Sequence, residues 1–230
     1  MPPLAVLYDI HGNLPALEAV LADVRSVGAE RFMLGGDYAL FGPFPAETVA
    51  ALDSLDAVER IRGNVDRWSA HPDDAPDDVL VREAIRACRD ALGDERVAAL
   101  DALPEQVVIE GTRYCHASPI SDLRSFQPEP GEDEDELLDH VTERRLVFGH
   151  THLAFRRTGR DGIELVNPGS VGAPFDGDPR AAYAVMHDDG SVEQRRVAYD
   201  NQSAASAMLE RFGDVPWARR SADRLVHARP

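Results

Sequence analysis

The sequence predicts an α/β fold in which parallel strands alternate with helices, and two observations support this prediction. Short apolar runs of strand length recur along the chain, and the first of them are separated by segments whose apolar residues have helical spacing. Polar clusters follow directly after five of these runs. In open α/β sheets ligands bind at the carboxyl ends of strands, so the clusters point to one site.

The first 65 residues repeat a strand and helix pattern. A predicted strand at 4–8 leads into a helix, and a second strand at 31–34 follows. A helix at about 46–55 and a strand at 57–61 repeat the unit. Strands joined by helical crossovers pair in parallel, so we expect the first three strands to be parallel. The apolar residues of the first helix are Leu14, Leu17, Val20, Leu21 and Val24.

The rest of the chain continues as one domain, expected to span 1–230. Helical spacing at 77–103 predicts a helical insertion at about 68–104 beside the site. Strands near 105–109 and 111–116 follow, and the acidic segment 129–139 is interpreted as a solvated loop entering a helix. In the last third of the chain we predict strands near 154–158, 163–166, 181–187 and 191–197. Helices are predicted after them, near 203–212 and 217–226.

The amino-acid composition of the chain limits the classes of partner that it can bind. No apolar stretch approaches the length that crosses a bilayer, so no membrane association is expected. The start lacks a basic region followed by an apolar core, and Cys88 and Cys115 form no Cys-x-x-Cys pattern, so we expect a cytoplasmic protein. The net charge of −17 disfavours long nucleic acids and favours small phosphate esters. The oligomeric state stays open.

Seven side chains in the polar clusters can bind metal. In an extended segment residues i and i+2 project from one face, so each closely spaced pair can aim at one place. Carboxylate and imidazole ligands without thiolate suit Mn, Fe, Zn, Ni or Co. Seven groups exceed the coordination of one ion, which favours two ions bridged by Asp37. The seven are Asp9, His11, Asp37, Asn64, His116, His150 and His152, whereas His71, His140, His187 and His227 are interpreted as surface or packing residues.

The ordered clusters resemble the calcineurin-like metallophosphoesterases, in the small bacterial and archaeal phosphodiesterase branch. The resemblance spans roughly residues 4–172 and implies a four-layer αββα sandwich, with two mixed β-sheets flanked by helices. It also implies two divalent metal ions, with Mn favoured. The matching motifs are Asp9-Ile10-His11-Gly12-Asn13, Gly36-Asp37, Gly63-Asn64, His116 and Gly149-His150-Thr151-His152.

The resemblance implies a role for each matching residue. One ion would be held by Asp9, His11, Asp37 and His152, and the other by Asp37, Asn64, His116 and His150. Among these, Asp37, Asn64 and His150 are the predicted catalytic residues. Asn13 would lie near the bound phosphate. Arg67 and Trp68 directly follow the Asn64 motif and are the first candidates for contacts with a phosphate and a flat group of the substrate.

One departure from the family pattern concerns the leaving group. Many relatives have a histidine after Gly-Asn that protonates the leaving group, supported by an aspartate three residues after the Gly-Asp aspartate. Val65 and Leu40 stand at these places. Both partners are absent together while the metal ligands are intact. The resemblance then implies hydrolysis by a hydroxide bridging the two ions, without this general acid.

Three functions remain open from the sequence. The first is a phosphodiesterase acting on a small ester, with nucleotides as one candidate. The second is a phosphomonoesterase acting on a nucleotide, a sugar phosphate or a phosphoprotein. The third is a non-catalytic binding scaffold, as in the retromer subunit that shares this fold. The complete ligand set disfavours the scaffold.

Overall fold

The computed structural model describes residues 2–230, which form ten strands and eight helices besides short 3₁₀ turns. The strands are β1 Leu4–Leu7, β2 Arg31–Leu34, β3 Val58–Arg60, β4 Gln106–Ile109, β5 Thr112–Cys115, β6 Arg145–Val147, β7 Phe155–Thr158, β8 Glu164–Asn167, β9 Ala181–Met186 and β10 Val192–Val197. The helices are α1 Leu14–Ser26, α2 Pro45–Asp53, α3 Asn64–Ala70, α4 Val79–Leu92, α5 Asp94–Asp101, α6 Glu134–Leu137, α7 Asn201–Phe212 and α8 Pro216–His227.

The strands form two five-stranded mixed sheets. The first has the order β10-β9-β1-β2-β3, in which β1, β2 and β3 are parallel and β9 runs antiparallel to β1. The second has the order β4-β5-β6-β8-β7, in which β5, β6 and β8 are parallel. The predicted parallel pairing of the first three strands is therefore confirmed, as are the two mixed sheets.

Three hydrophobic cores separate four layers. Strand β1 shows the arrangement, since Val6 faces a core between the two sheets and Leu7 faces a core between the first sheet and its helices. Successive side chains of a strand point to opposite faces, so a strand buried on both sides is apolar throughout. The third core lies outside the second sheet, where Phe126 and Leu137 cover Leu146. The predicted αββα layering is confirmed.

The two outer layers differ in thickness. Residues of α1 to α5, α7 and α8 all contribute to the core beside the first sheet. The second sheet is covered by the 117–144 segment, whose only helix is the four-residue α6. The predicted helical stretch at 77–103 is divided at Gly93, whose φ of 77° ends α4 before α5 begins. No helix among residues 2–230 is long and apolar enough to cross a membrane.

We predict that Leu7→Ala lowers the free energy of unfolding by about 2–5 kcal/mol, because it opens a cavity beside the central strand of the first sheet. Leu7 is fully buried. Leu123→Ala is the control, because Leu123 is 44% exposed and its truncation should change stability by less than about 0.5 kcal/mol. Urea unfolding measures both, and equal effects of the two variants would contradict this packing.

Candidate metal centre

The seven predicted ligands meet where the carboxyl ends of strands from both sheets come together. Asp9 follows β1, Asp37 follows β2, and Asn64 opens α3 after β3. His116 directly follows β5 of the second sheet, and His150 and His152 follow β6. Six of the seven are buried, and His150 is half-buried. The topology therefore brings residues from five separate loops to one place.

Four of these residues form a compact set. One ligand atom each from Asp9, His11, Asp37 and His152 lies within 4.8 Å of the others. The Nε2 atoms of His11 and His152 are 3.1 Å apart. His11 Nε2 is 3.7 Å from Asp37 Oδ2, and His152 Nε2 is 3.6 Å from Asp9 Oδ1. This set can bind a metal ion.

The remaining residues gather around the amide oxygen of Asn64. Asn64 Oδ1 lies 2.9 Å from His116 Nε2 and 2.8 Å from His150 Nδ1. His116 Nε2 is also 3.4 Å from Asp37 Oδ1. Asp37 thus has one oxygen facing His11 of the first set and the other facing His116 of the second.

Backbone carbonyls orient three of the histidines. The Nδ1 atoms of His11 and His116 each lie 2.9 Å from a carbonyl oxygen, of Leu40 and Gly35 respectively, and His152 Nδ1 lies 2.5 Å from the carbonyl of Ala173. A carbonyl only accepts hydrogen bonds, so Nδ1 carries the proton and Nε2 faces the centre. This is how metal-bound histidines are held in proteins.

The donor atoms fit a bound cation. Asp9 Oδ1 is buried without a hydrogen-bond partner, and the two facing Nε2 atoms of His11 and His152 would oppose lone pairs if both rings were neutral. Nitrogen ligands bind an ion such as zinc at roughly 2.0–2.1 Å, so two of them on one ion stand about 3 Å apart. A divalent ion would satisfy all three atoms at once.

The pKa values of the site residues also indicate that a positive charge stabilises the site. Burial raises the pKa of Asp9 well above its usual value. Burial alone would lower the pKa of His116, but the carboxylates of Asp37 and Asp9 raise it to about 10, so a proton on this ring neutralises the site when no ion does. Metal binding would displace that proton. Burial, with the charge of His116, lowers the pKa of His150 to about 4 and keeps that ring neutral.

The loops reach this arrangement through left-handed backbone. Five of the seven residues have positive φ angles between 49° and 66°. The sequence analysis explained the Asp9/His11 and His150/His152 pairs by extended backbone, and this explanation is wrong. Residues other than glycine adopt this region at a cost and cluster in it at functional sites. The five are Asp9, His11, Asp37, His150 and His152.

Comparisons with known proteins agree with this geometry. Residues 3–191 match the calcineurin-like phosphoesterase superfamily domain. The chain belongs to this superfamily. It is therefore a metal-dependent phosphoric ester hydrolase by family, and the expected family is confirmed.

Individual relatives cover most of the chain. An uncharacterized protein of Methanocaldococcus jannaschii is 30% identical, over 90% of this chain and 92% of its own length. The phosphodiesterase YfcE of Escherichia coli is 29% identical, over 82% of this chain and 89% of its own length. The crystal structure of a metallophosphoesterase from Sphaerobacter thermophilus is 26% identical, with a TM-score of 0.82 over 99% of both chains.

The segment 167–172 braces the loops of this phosphoesterase site. Asn167 Nδ2 donates to the carbonyl of Gly149 at 3.1 Å, beside His150. Ser170 Oγ donates to the carbonyl of Asp9 at 2.7 Å, and the backbone N–H of Gly172 donates to the same carbonyl at 3.0 Å. These contacts tie the His150 loop and the Asp9 loop to the same segment.

The structure places the three predicted substrate contacts differently. Asn13 Nδ2 donates to the Gly172 carbonyl and to Tyr199 Oη, and its Oδ1 caps α1, so both amide hydrogens are engaged within the protein. Arg67 is ion-paired with Asp122 and Asp74 and lines a neighbouring pocket together with His116. Trp68 lines the pocket beside the metal ligands, and its buried Nε1 has no hydrogen-bond partner.

Asp66 is a functional residue that the sequence analysis missed. Its buried carboxylate accepts hydrogen bonds from the backbone N–H groups of Gly63 and Asp37, both at 2.9 Å, and of Tyr38 at 3.1 Å. It thereby ties the Asn64 loop to the Asp37 loop. An acidic residue at the third position of a helix is a capping signal, and Asp66 holds that position in α3.

The pocket beside the metal ligands has a volume of ≈ 270 Å³. Its apolar wall includes Phe41, Val65 and Trp68. Helix α8 contributes Arg220 and Arg224, which the sequence analysis did not assign to the site. Their i, i+4 spacing places them on one helix face, but no motif links that face to the metal ligands.

We predict that Asp66→Asn lowers the free energy of unfolding by about 1–3 kcal/mol, because an amide group would face N–H donors that now share a carboxylate. Metal affinity should fall about 10- to 100-fold, since the two tied loops carry ligands. Thermal unfolding and metal titration measure the two effects. The control is Asp77→Asn, whose side chain is 93% exposed; an Asp66 variant that matches it would contradict the bracing role.

Proposed function

We propose that this phosphoesterase is a phosphodiesterase that hydrolyses small phosphodiesters with two divalent metal ions, Mn²⁺ first among them. The observation that carries the proposal is the position of Asp37, whose two oxygens face separate donor sets. Each set contains three further residues, and Asp37 is the only residue that belongs to both sets. The name of the Escherichia coli relative supports a diester as the substrate.

The protein's own residues hold and shield the reaction site. Two ions bound there would lower the pKa of a water and neutralise charge on the phosphoryl oxygens. Asp37 supplies an oxygen to each donor set, and it lines the pocket together with Asn64 and His150. Phe41 and Trp68 exclude water from one side of the pocket.

A small substrate fits both the volume and the charge. Pockets for drug-sized ligands usually measure about 300–1,000 Å³, and ≈ 270 Å³ lies just below that range. The net charge of −17 opposes the approach of a long polyanion. One phosphate with two short ester arms meets both limits.

The pocket offers no side chain that replaces the family's general acid. Val65 lines the pocket and Leu40 is buried beside it. Apart from the metal-binding set, the titratable residues lining the pocket within 2–230 are Arg220 and Arg224, which do not give up protons near neutral pH. Leaving groups that depart as anions are therefore the favoured substrates.

The direct test is turnover by protein stripped of metal and reloaded with Mn²⁺. Bis(4-nitrophenyl) phosphate and 4-nitrophenyl phosphate serve as matched diester and monoester. We expect no turnover without metal, saturation at two Mn²⁺ per chain and a higher kcat/KM for the diester. Saturation at one ion would refute the dinuclear centre, and a preference for the monoester would make the protein a phosphomonoesterase.

We predict that Asp37→Ala and His150→Ala each lower kcat/KM by at least about 10²- to 10³-fold, the size of loss when one preorganised charged group is removed from a reacting centre. Both variants should remain folded by circular dichroism and bind fewer than two ions. His140→Ala is the matched control, because the His140 side chain is 92% exposed. Retention of activity in either site variant would remove that residue from the mechanism.

We predict a steep dependence of rate on the leaving group. For a series of aryl phosphodiesters, kcat/KM should fall sharply as the pKa of the leaving phenol rises, because negative charge develops on its oxygen without a proton donor. The slope of log kcat/KM against that pKa is the measurement. A flat plot, with chemistry shown to be rate-limiting, would reveal a donor among other residues or ordered waters.

A variant that restores only the histidine of the family pattern also tests whether a proton donor to the leaving group is missing. Val65→His should raise kcat/KM for basic leaving groups by much less than the roughly 10²- to 10⁴-fold that general acid catalysis usually supplies. Leu40 has no group to orient the new ring, and the Leu40 carbonyl already binds His11. A full gain would show that the aspartate partner is unnecessary in this site.

A further inference from the structure

Helix α8 places a positive charge, the guanidinium of Arg224, at the wall of the metal pocket. Within residues 2–230, no carboxylate lies within 4.0 Å of the Arg224 guanidinium, and its buried Nε has no hydrogen-bond partner. Each of the other half-buried arginines among residues 2–230 has a carboxylate partner. Those ten are Arg31, Arg60, Arg62, Arg67, Arg89, Arg113, Arg145, Arg157, Arg195 and Arg196.

An unpaired arginine is unexpected in this protein. The chain has 41 acidic and 24 basic residues, so acceptors for a guanidinium are abundant. Burial lowers the pKa of Arg224, and the neighbouring Arg220 lowers it further. A partly buried charge without a partner costs free energy. The cost is offset if an anionic ligand occupies the place of the missing carboxylate.

Aromatic packing fixes Arg224 next to the centre. The Phe175 ring stacks on the ring of His152, with centroids 4.3 Å apart and an angle of 17°. The guanidinium carbon of Arg224 lies 5.5 Å from the Phe175 centroid, within range of a cation–π contact. The guanidinium is thus held one aromatic ring away from a metal-binding histidine.

The nearest acid is already engaged. Asp78, which caps α4 through Leu80 N–H, pairs with Arg220 at 3.3 Å. This pair joins α8 to the helical insertion and leaves Arg224 as the cation available to a ligand in the pocket. Helix α8 also lies outside residues 3–191, the part that matches the superfamily domain. None of the five family motifs lies on α8.

We propose that Arg224 is a specificity-determining residue, which binds a second phosphate carried by the substrate in addition to the diester that is hydrolysed. The inference rests on the proposed phosphodiesterase function. A guanidinium binds phosphate through two parallel hydrogen bonds from its planar fork. A diester held by metal ions does not need these bonds, but a neighbouring phosphate of the same substrate can accept them. The favoured substrates are small phosphodiesters with a terminal phosphate, and diesters with two uncharged arms are poorer ones.

The test uses two probes that differ by one group. Thymidine 5′-(4-nitrophenyl phosphate) has only the diester, and its 3′-phosphorylated form has the second phosphate as well. The Mn²⁺-loaded wild-type protein should hydrolyse the 3′-phosphorylated probe with a kcat/KM about 10- to 100-fold higher, mainly through a lower KM. Arg224→Gln should abolish this preference and leave kcat/KM for the other probe within about twofold. Arg224→Lys should restore part of the preference, because it keeps the charge but not the fork.

The control is Arg219→Gln, on the same helix but paired with Asp214 and absent from the pocket lining. It should retain the full preference. If Arg224→Gln slows both probes equally, Arg224 binds the hydrolysed phosphate and the proposal is overturned. If it slows neither, Arg224 has no role in recognition.

A binding measurement separates this proposal from the proposed function. Calorimetry on the Mn²⁺-loaded protein should show thymidine 3′,5′-bisphosphate binding more tightly than thymidine 5′-monophosphate, and Arg224→Gln should remove the difference. This result would support the second phosphate site even if neither nitrophenyl probe were hydrolysed. The absence of hydrolysis would count only against the proposed phosphodiesterase function. Equal binding of both nucleotides to the wild-type protein would refute the second site whatever the activity.

Discussion

The metal centre depends on loops that pass one another at backbone contact distance. A Cβ atom on Gly63 would lie 2.1 Å from Asp37 Oδ1, and one on Gly172 would lie 1.9 Å from the carbonyl oxygen of Ile10. No side chain can be accommodated at either place without moving a loop that carries a ligand. The first contact brings Asn64 beside Asp37, and the second holds the turn between Asp9 and His11. The close approach of the loops therefore determines how far apart the donor atoms are.

This arrangement costs stability, and a bound metal ion would compensate for part of the cost. Five of the metal-binding residues are in left-handed backbone, at a cost of order 1–3 kcal/mol for each such residue. Three carboxylates, of Asp9, Asp37 and Asp66, are buried close together. Burial raises the pKa of Asp66 to about 7, with the charge of Asp37 adding to the effect. Cations bound between these groups would remove much of the repulsion, so metal affinity and folding are linked.

Much of the fold, and the convergence of the candidate metal ligands at one place, could be predicted from the sequence because both leave local signals. β2 was predicted at its observed bounds, since a buried strand is a short apolar run between polar turns. The left-handed conformation of Asp9 and His150 leaves no such signal, because it is imposed by loops distant in sequence. The ion pair of Arg67 could not be predicted for a related reason: its partner Asp122 lies 55 residues away, and no local pattern indicates the contact.

The two halves of the pocket are also built from different kinds of sequence segment. The metal-binding half comes from short motifs, each fixed by its own strand and turn. The other half comes from α8, which reaches the pocket only because α4 and α7 pack against it. A change in α8 can therefore alter what the pocket recognises without disturbing the residues that face the metals. Relatives that share the five motifs but differ after residue 191 should cleave the same kind of bond in different molecules.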